Sequence, residues 1–115
     1  MKKIAITGSR NIKKSQKLLD LLNELQPDEI ISGGAIGADK IAENWAKMNS
    51  KKVTIIRPDY EKYESKMAPI IRNKEIVEKA DHVIAIWDGK SKGTAATIKM
   101  AKNAGKLLKV IFEMD

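Results

Sequence analysis

The chain has 115 residues, 43% hydrophobic and 32% charged, with no cysteine and a single histidine. This excludes disulfides, thiolate metal sites, cysteine nucleophiles and multi-histidine metal centres, and no metal or other cofactor is expected. The formal charge of +7 is carried by 19 lysines and only three arginines (Arg10, Arg57 and Arg72), so it attracts anions without choosing between a nucleotide and a nucleic acid.

One domain is expected at this length, with a core sufficient to fold without staples. No apolar run reaches the length of about 18 residues that a membrane span requires. The N-terminus enters a strand pattern directly, without a signal-peptide core, so a cytoplasmic location is expected.

The predicted elements follow in order. Lys3–Thr7 (KIAIT) reads as a strand, and Leu18, Leu19, Leu22 and Leu25 mark one face of a helix that Pro27 ends. Glu29–Ser32 (EIIS) is the second strand, followed by a helix with the stripe Ala38, Ile41, Ala42 and Trp45. Lys52–Ile56 (KVTII) is the third strand. The polar segment Asp59–Ala68 then carries both tyrosines and reads as a lid or binding loop. A third helix starts near Pro69, with Ile70, Asn73, Ile76, Val77 and Ala80 along one side. His82–Trp87 (HVIAIW) is the fourth strand, and a helix from about Thr94 to Asn103 ends at Gly105. Leu107–Phe112 (LLKVIF) is the fifth strand.

Alternating β and α elements with nearly continuous Ile/Val strands predict a Rossmann-like three-layer α/β/α sandwich. Its five-stranded parallel sheet is expected in the order 3-2-1-4-5. In such a sheet ligands bind beyond the carboxyl ends of the strands, where chain order reverses.

Six of the seven glycines fall in turns on that edge: Gly8-Ser9-Arg10-Asn11, Gly33-Gly34-Ala35-Ile36-Gly37-Ala38-Asp39 and Asp88-Gly89-Lys90-Ser91-Lys92-Gly93-Thr94. Glycine permits close backbone approach, so amides at helix N-termini are expected to surround an anion. Better-known nucleotide motifs fail. The first turn is GSRN rather than GxGxxG, and the second strand ends in Ser32 without an acidic ribose ligand. Gly89-Lys90-Ser91 has the tail of a P-loop, but Ile84 stands where its earlier glycine belongs.

The ordered set ITGSR (Ile6–Arg10), SGGAIGAD (Ser32–Asp39), Arg72-Asn73 and ADHVIAIWDGKSKGT (Ala80–Thr94) resembles the SLOG superfamily, nearest its YspA-like branch of small single-domain proteins. Relatives include LOG-type phosphoribohydrolases and the DNA-processing DprA proteins. The resemblance implies binding of a nucleotide or nucleotide-derived ligand, with self-association through helices that flank the sheet. It also implies that hydrolysis lacks a group. Where LOG enzymes carry a Glu in PGGxGTxxE, this chain has Thr97, and Arg72 is followed by Asn73 rather than Lys. Asp39 or Asp88 would have to compensate.

Individual residues carry competing readings. Ser9 and Arg10 are read as beginning the first helix and contacting phosphate or ribose. Asp39 either complements the helix dipole, binds a ribose or orders the first loop. Arg72 is assigned to the ligand, whereas Asn73 either bridges loops or touches the ligand. Thr94 is read as an N-cap, a phosphate ligand or both. Lys90 and Lys92 are mobile cations, and Trp87 is either core or a stacking platform for a base. Trp45 is read as core. His82, at the amino end of its strand, receives no catalytic role, and Lys92, Lys99, Lys102 and Lys106 read as a solvated basic face.

The expected function is therefore nucleotide binding as a sensor or effector domain, with phosphate among Gly8–Arg10, Gly33–Asp39 and Gly89–Thr94. A phosphoribohydrolase using Arg72, Asp39 or Asp88 is the alternative. DprA-like nucleic-acid binding is a further one, weakened by the shortage of arginine and of interleaved exposed aromatics.

Overall fold

The computed structural model describes residues 2–113. Five strands, β1 (Lys3–Gly8), β2 (Glu29–Ser32), β3 (Lys52–Ile55), β4 (His82–Trp87) and β5 (Leu107–Phe112), alternate with four helices. These are α1 (Gln16–Leu25), α2 (Ala38–Met48), α3 (Ala68–Lys79) and α4 (Lys92–Asn103). All strand pairs are parallel, in the order β3-β2-β1-β4-β5.

Both faces of the sheet are covered, which explains the unbroken apolar strands. Alternation sends Ile4 and Ile6 of β1, with Ile84 and Ile86 of β4, onto Leu18 and Leu22 of α1 and Ala42 and Trp45 of α2. Ala5 and Val83 face the other way, onto Ile76 and Val77 of α3 and Ala101 of α4. Each buried isoleucine contributes about 2 kcal/mol relative to exposure. Trp45 is core, as its stripe implied, and its indole N–H donates to Asn23 Oδ1 at 2.8 Å.

The helix starts differ from those read in the sequence. α1 begins at Gln16, not at Ser9–Arg10, because Ser15 caps it by accepting the Leu18 amide at 3.1 Å. Ser9 to Lys14 is therefore a loop, and Gly8 is the last residue of β1 rather than part of a turn. α4 begins at Lys92, two residues before the expected start. Its N-cap is Ser91, which accepts the Thr94 amide, so Thr94 is not the cap.

Lys106 also leaves the expected basic face. Its ammonium donates to the carbonyls of Val77 (2.8 Å) and Glu78 (3.0 Å), satisfying acceptors at the end of α3. No helix among the described residues is long and apolar enough to cross a membrane.

Candidate functional site

β1 and β4 are neighbours at the centre of the sheet, but β1 leads toward β2 and β4 toward β5. Chain order reverses between them, and a cleft of about 500 Å³ opens beyond their carboxyl ends. That volume lies within the usual range for small-molecule sites.

Three loops and one helix build the cleft. The first loop supplies Gly8, Ser9, Arg10 and Asn11; the second supplies Gly33, Ala35 and Asp39. The fourth-strand loop and the start of α4 supply Asp88, Ser91, Gly93 and Thr94. From α3 come Pro69, Arg72, Asn73 and Ile76, which share one face at helical spacing.

Close packing locks the loops together. The Ser9 amide donates to Ile86 O at 3.0 Å, and the Asp88 amide donates to Ser9 Oγ at 3.2 Å, which ties the first loop to the fourth strand. A Cβ on Gly37 would lie 2.6 Å from Ser9 O and 2.8 Å from Arg10 O, and Gly37 has φ +87°. Only glycine lets the second loop rest on the first. Arg72 Nη1 donates to Gly33 O at 2.8 Å, while its Nε donates to Asn73 Oδ1 at 2.7 Å. Asn73 thus orients Arg72, and Arg72 anchors the second loop to α3.

The expected ring of free loop amides is only partly present. Asp39 Oδ2 accepts the amides of Gly33 (3.0 Å) and Ala35 (3.3 Å), and Ser32 Oγ accepts that of Gly34. Asp88 Oδ1 accepts those of Lys90 and Ser91, both at 2.8 Å. Loop aspartates, rather than a ligand, satisfy most of these donors. The amides of Lys92 and Gly93 in the first turn of α4 make no hydrogen bond within the described residues, and Gly93 lines the cleft.

The two aspartates are shifted in opposite directions from the ordinary carboxylate range. Burial pushes the Asp39 carboxyl up to about 6, against the pull of the Ala35 and Gly33 amides and of Arg72. The Ser91 and Lys90 amides hold Asp88 below the usual carboxylate range, with the side chains of Ser9 and Asn11 assisting. Burial lowers the pKa of Arg72, Asp39 and Tyr60 raise it, and the nearby charge of Arg10 lowers it.

Several residues assigned to the ligand lie outside the lining. Trp87 is half-buried. Its indole N–H donates to Ser91 O at 3.0 Å and its ring packs on Phe112 at 5.7 Å, so it braces the start of α4 instead of walling the cleft. Gly34 and Gly37 serve loop packing, and Gly89, with φ +82°, serves a turn. Lys92 is exposed outside the cleft. Conversely, Asn11, Ser91, Pro69 and Ile76 line it without having been singled out. A serine just ahead of a helical run is an N-cap signal that would have found Ser91. Helical periodicity from Arg72 would have found Pro69 and Ile76.

Fold and site together define a doubly wound α/β domain with an arginine-bearing cleft at its switch point. Over residues 2–63 the chain matches the YspA, cpYpsA-related SLOG family. It is 36% identical over 116 residues to the Gene 61 protein of Mycobacterium phage D29, covering 91% of this chain and 92% of that relative. The chain belongs to the YspA, cpYpsA-related SLOG family. It is also similar in structure to DNA processing protein A from Helicobacter pylori, which was described for its single-stranded DNA binding mode. That match has a TM-score of 0.72 at 24% identity and covers 99% of this chain and 67% of the other, a likeness of fold.

Proposed function

We propose that the cleft holds the phosphate of a nucleotide or nucleotide-derived ligand, and that the protein works by binding, as a sensor or effector domain. One observation carries this reading. Arg10 and Arg72 both line the cleft, and among the described residues neither has a carboxylate within 4.0 Å. A phosphate would pair with both positive charges, using the fork of Arg10 and the Arg72 N–H groups that Gly33 O and Asn73 leave free. The Gly93 amide and the hydroxyl of Thr94 add donors at the start of α4. Family membership supports the same reading.

Thermal-shift titrations with AMP, ADP and cyclic nucleotides test it. The melting temperature should rise with ligand concentration, as mass action requires. Arg10→Ala or Arg72→Ala should abolish the rise. A flat response of the unaltered protein to every nucleotide would remove the proposal.

A phosphoribohydrolase is favoured by one observation, the Asp39 carboxyl raised to about 6 within the cleft, in the range suited to proton transfer. Against it, Thr97 is buried and its hydroxyl donates to Gly93 O at 3.1 Å, so that position offers neither a carboxylate nor an open side chain. Release of free base from a nucleoside monophosphate, lost on Asp39→Asn, would establish hydrolysis. The +7 charge and the DNA-binding structural relative favour nucleic acid as a partner. Single-stranded DNA affinity with a steep salt dependence would support that partner. Self-association, proposed on the family resemblance, is read by light scattering.

A further inference from the structure

We infer that Arg57, outside the cleft, forms a second anion subsite, so that the preferred ligand carries a second phosphate linked to the one in the cleft. The inference rests on the phosphate reading of the cleft given above.

The chain has three arginines among 22 basic residues, and two of them, Arg72 and Arg57, place their guanidinium groups against the second loop, which also packs on the backbone of Arg10. A Cβ on Gly37 would meet the Arg10 carbonyl, and one on Gly33 would lie 2.6 Å from Arg72 Nη1. One on Gly34 would lie 2.8 Å from Arg57 Nη1. Gly33 and Gly34 are consecutive, so the guanidinium groups of Arg72 and Arg57 are within about 12 Å of each other. Gly33 and Ala35 line the cleft and Gly34 lies between them in sequence, so Arg57 packs on the loop that walls the cleft.

The backbone fixes Arg57 there. The Ile56 amide donates to Ser32 O at 2.8 Å, extending the β2–β3 pairing by one residue, and Pro58 restricts the chain immediately after. Gly34, at φ +73°, supplies both the turn and the space that the guanidinium occupies.

Among the described residues no ion pair uses the charge. Arg57 is exposed, and among the described residues it has no carboxylate within 4.0 Å. The nearest acid in sequence, Asp59, accepts the amides of Glu61 and Lys62 instead. A positioned guanidinium against a glycine of that loop suits forked contact with phosphate better than a lysine would.

Calorimetric affinities for AMP, ADP and the 5′-phosphorylated dinucleotide pdApdA test this, using the full chain and its Arg57→Gln, Arg57→Lys and Lys47→Gln variants. ADP or pdApdA should bind about tenfold more tightly than AMP. Arg57→Gln should erase that gain while leaving AMP unchanged, and Arg57→Lys should restore part of it. Lys47→Gln, the same charge change on α2, should alter none of the affinities. A gain confined to ADP assigns a diphosphate, one confined to pdApdA assigns a phosphodiester-linked ligand, and a gain in both assigns the subsite to either linkage. AMP binding with no Arg57-dependent gain overturns this inference alone, as does equal weakening of AMP by Arg57→Gln. No binding of any nucleotide overturns the cleft reading as well.

Discussion

The second and fourth βα loops look alike in sequence, each a glycine-rich turn with an aspartate, but they are built for different purposes. In the second, the protein itself fills the space beside every glycine: Arg72 and Asp39 beside Gly33, Arg57 beside Gly34, the first loop beside Gly37. In the fourth, a Cβ on Gly89 or Gly93 would meet nothing within 4 Å. Both aspartates collect two amides of their own loop, yet Asp39 is buried and shifted up while Asp88 is held down. The second loop is therefore a packed wall, and the fourth is the side that remains open to a ligand. A glycine-rich turn is evidence of close approach, but the approaching group is as often the protein as a phosphate.

The largest test of this contrast is Gly37→Ala. It forces an alanine to φ +87° and places its methyl 2.6 Å from Ser9 O, so destabilisation by about 3 kcal/mol is expected in urea unfolding. Gly89→Ala meets strain in φ but no neighbour, and should cost clearly less. If the two cost the same, the packed-wall account of the second loop is wrong.

Next is the pH dependence carried by Asp39. Its carboxyl ionises near 3.8 when unfolded and near 6 when folded, so the folded state holds more protons between those values. Its contribution to stability is complete below about pH 4 and is lost as pH rises through 6. The loss amounts to about 2–3 kcal/mol. Asp39→Asn should remove this slope, so the advantage of the unaltered protein over the variant should shrink from pH 4 to pH 7. A difference that stays constant across the window would place the titration elsewhere.

The smallest effect is the most discriminating. Gly93 lies in the first turn of α4 with no steric reason to be glycine, so Gly93→Ala should raise stability by up to about 1 kcal/mol through helix propensity. The same methyl enters the cleft and should weaken nucleotide binding. Stability and affinity moving in the same direction would show that Gly93 does not face the ligand.

Much of this was legible in the sequence because it is periodic. Continuous Ile/Val strands separated by amphipathic helices and glycine turns specify a doubly wound sheet, and all five strands begin and end within one residue of the pattern or on it. The register shift between Val83 and Ile84, which leaves Leu108 without a partner in β4, has no signature in LLKVIF. The start of α1 was misplaced because a GSRN turn looks like a helix entrance, while the actual cap, Ser15, sits six residues further on. At the cleft, residue types indicated Arg10, Arg72 and Asp39 as occupants. What they could not show is hydrogen-bond partnership. The capture of loop amides by Asp39 and Asp88, and of the Trp87 indole by Ser91 O, are three-dimensional facts.

The most direct measurement is an amide NMR titration of the isotopically labelled protein with AMP. Saturable shifts should concentrate on Gly93, Thr94 and the Arg10–Asn11 segment, with smaller shifts at Gly33 and Ala35, whose amides Asp39 already holds. Shifts that are absent, or that cluster in the groove between α1 and β5 around Leu21 and Lys109, would contradict the account.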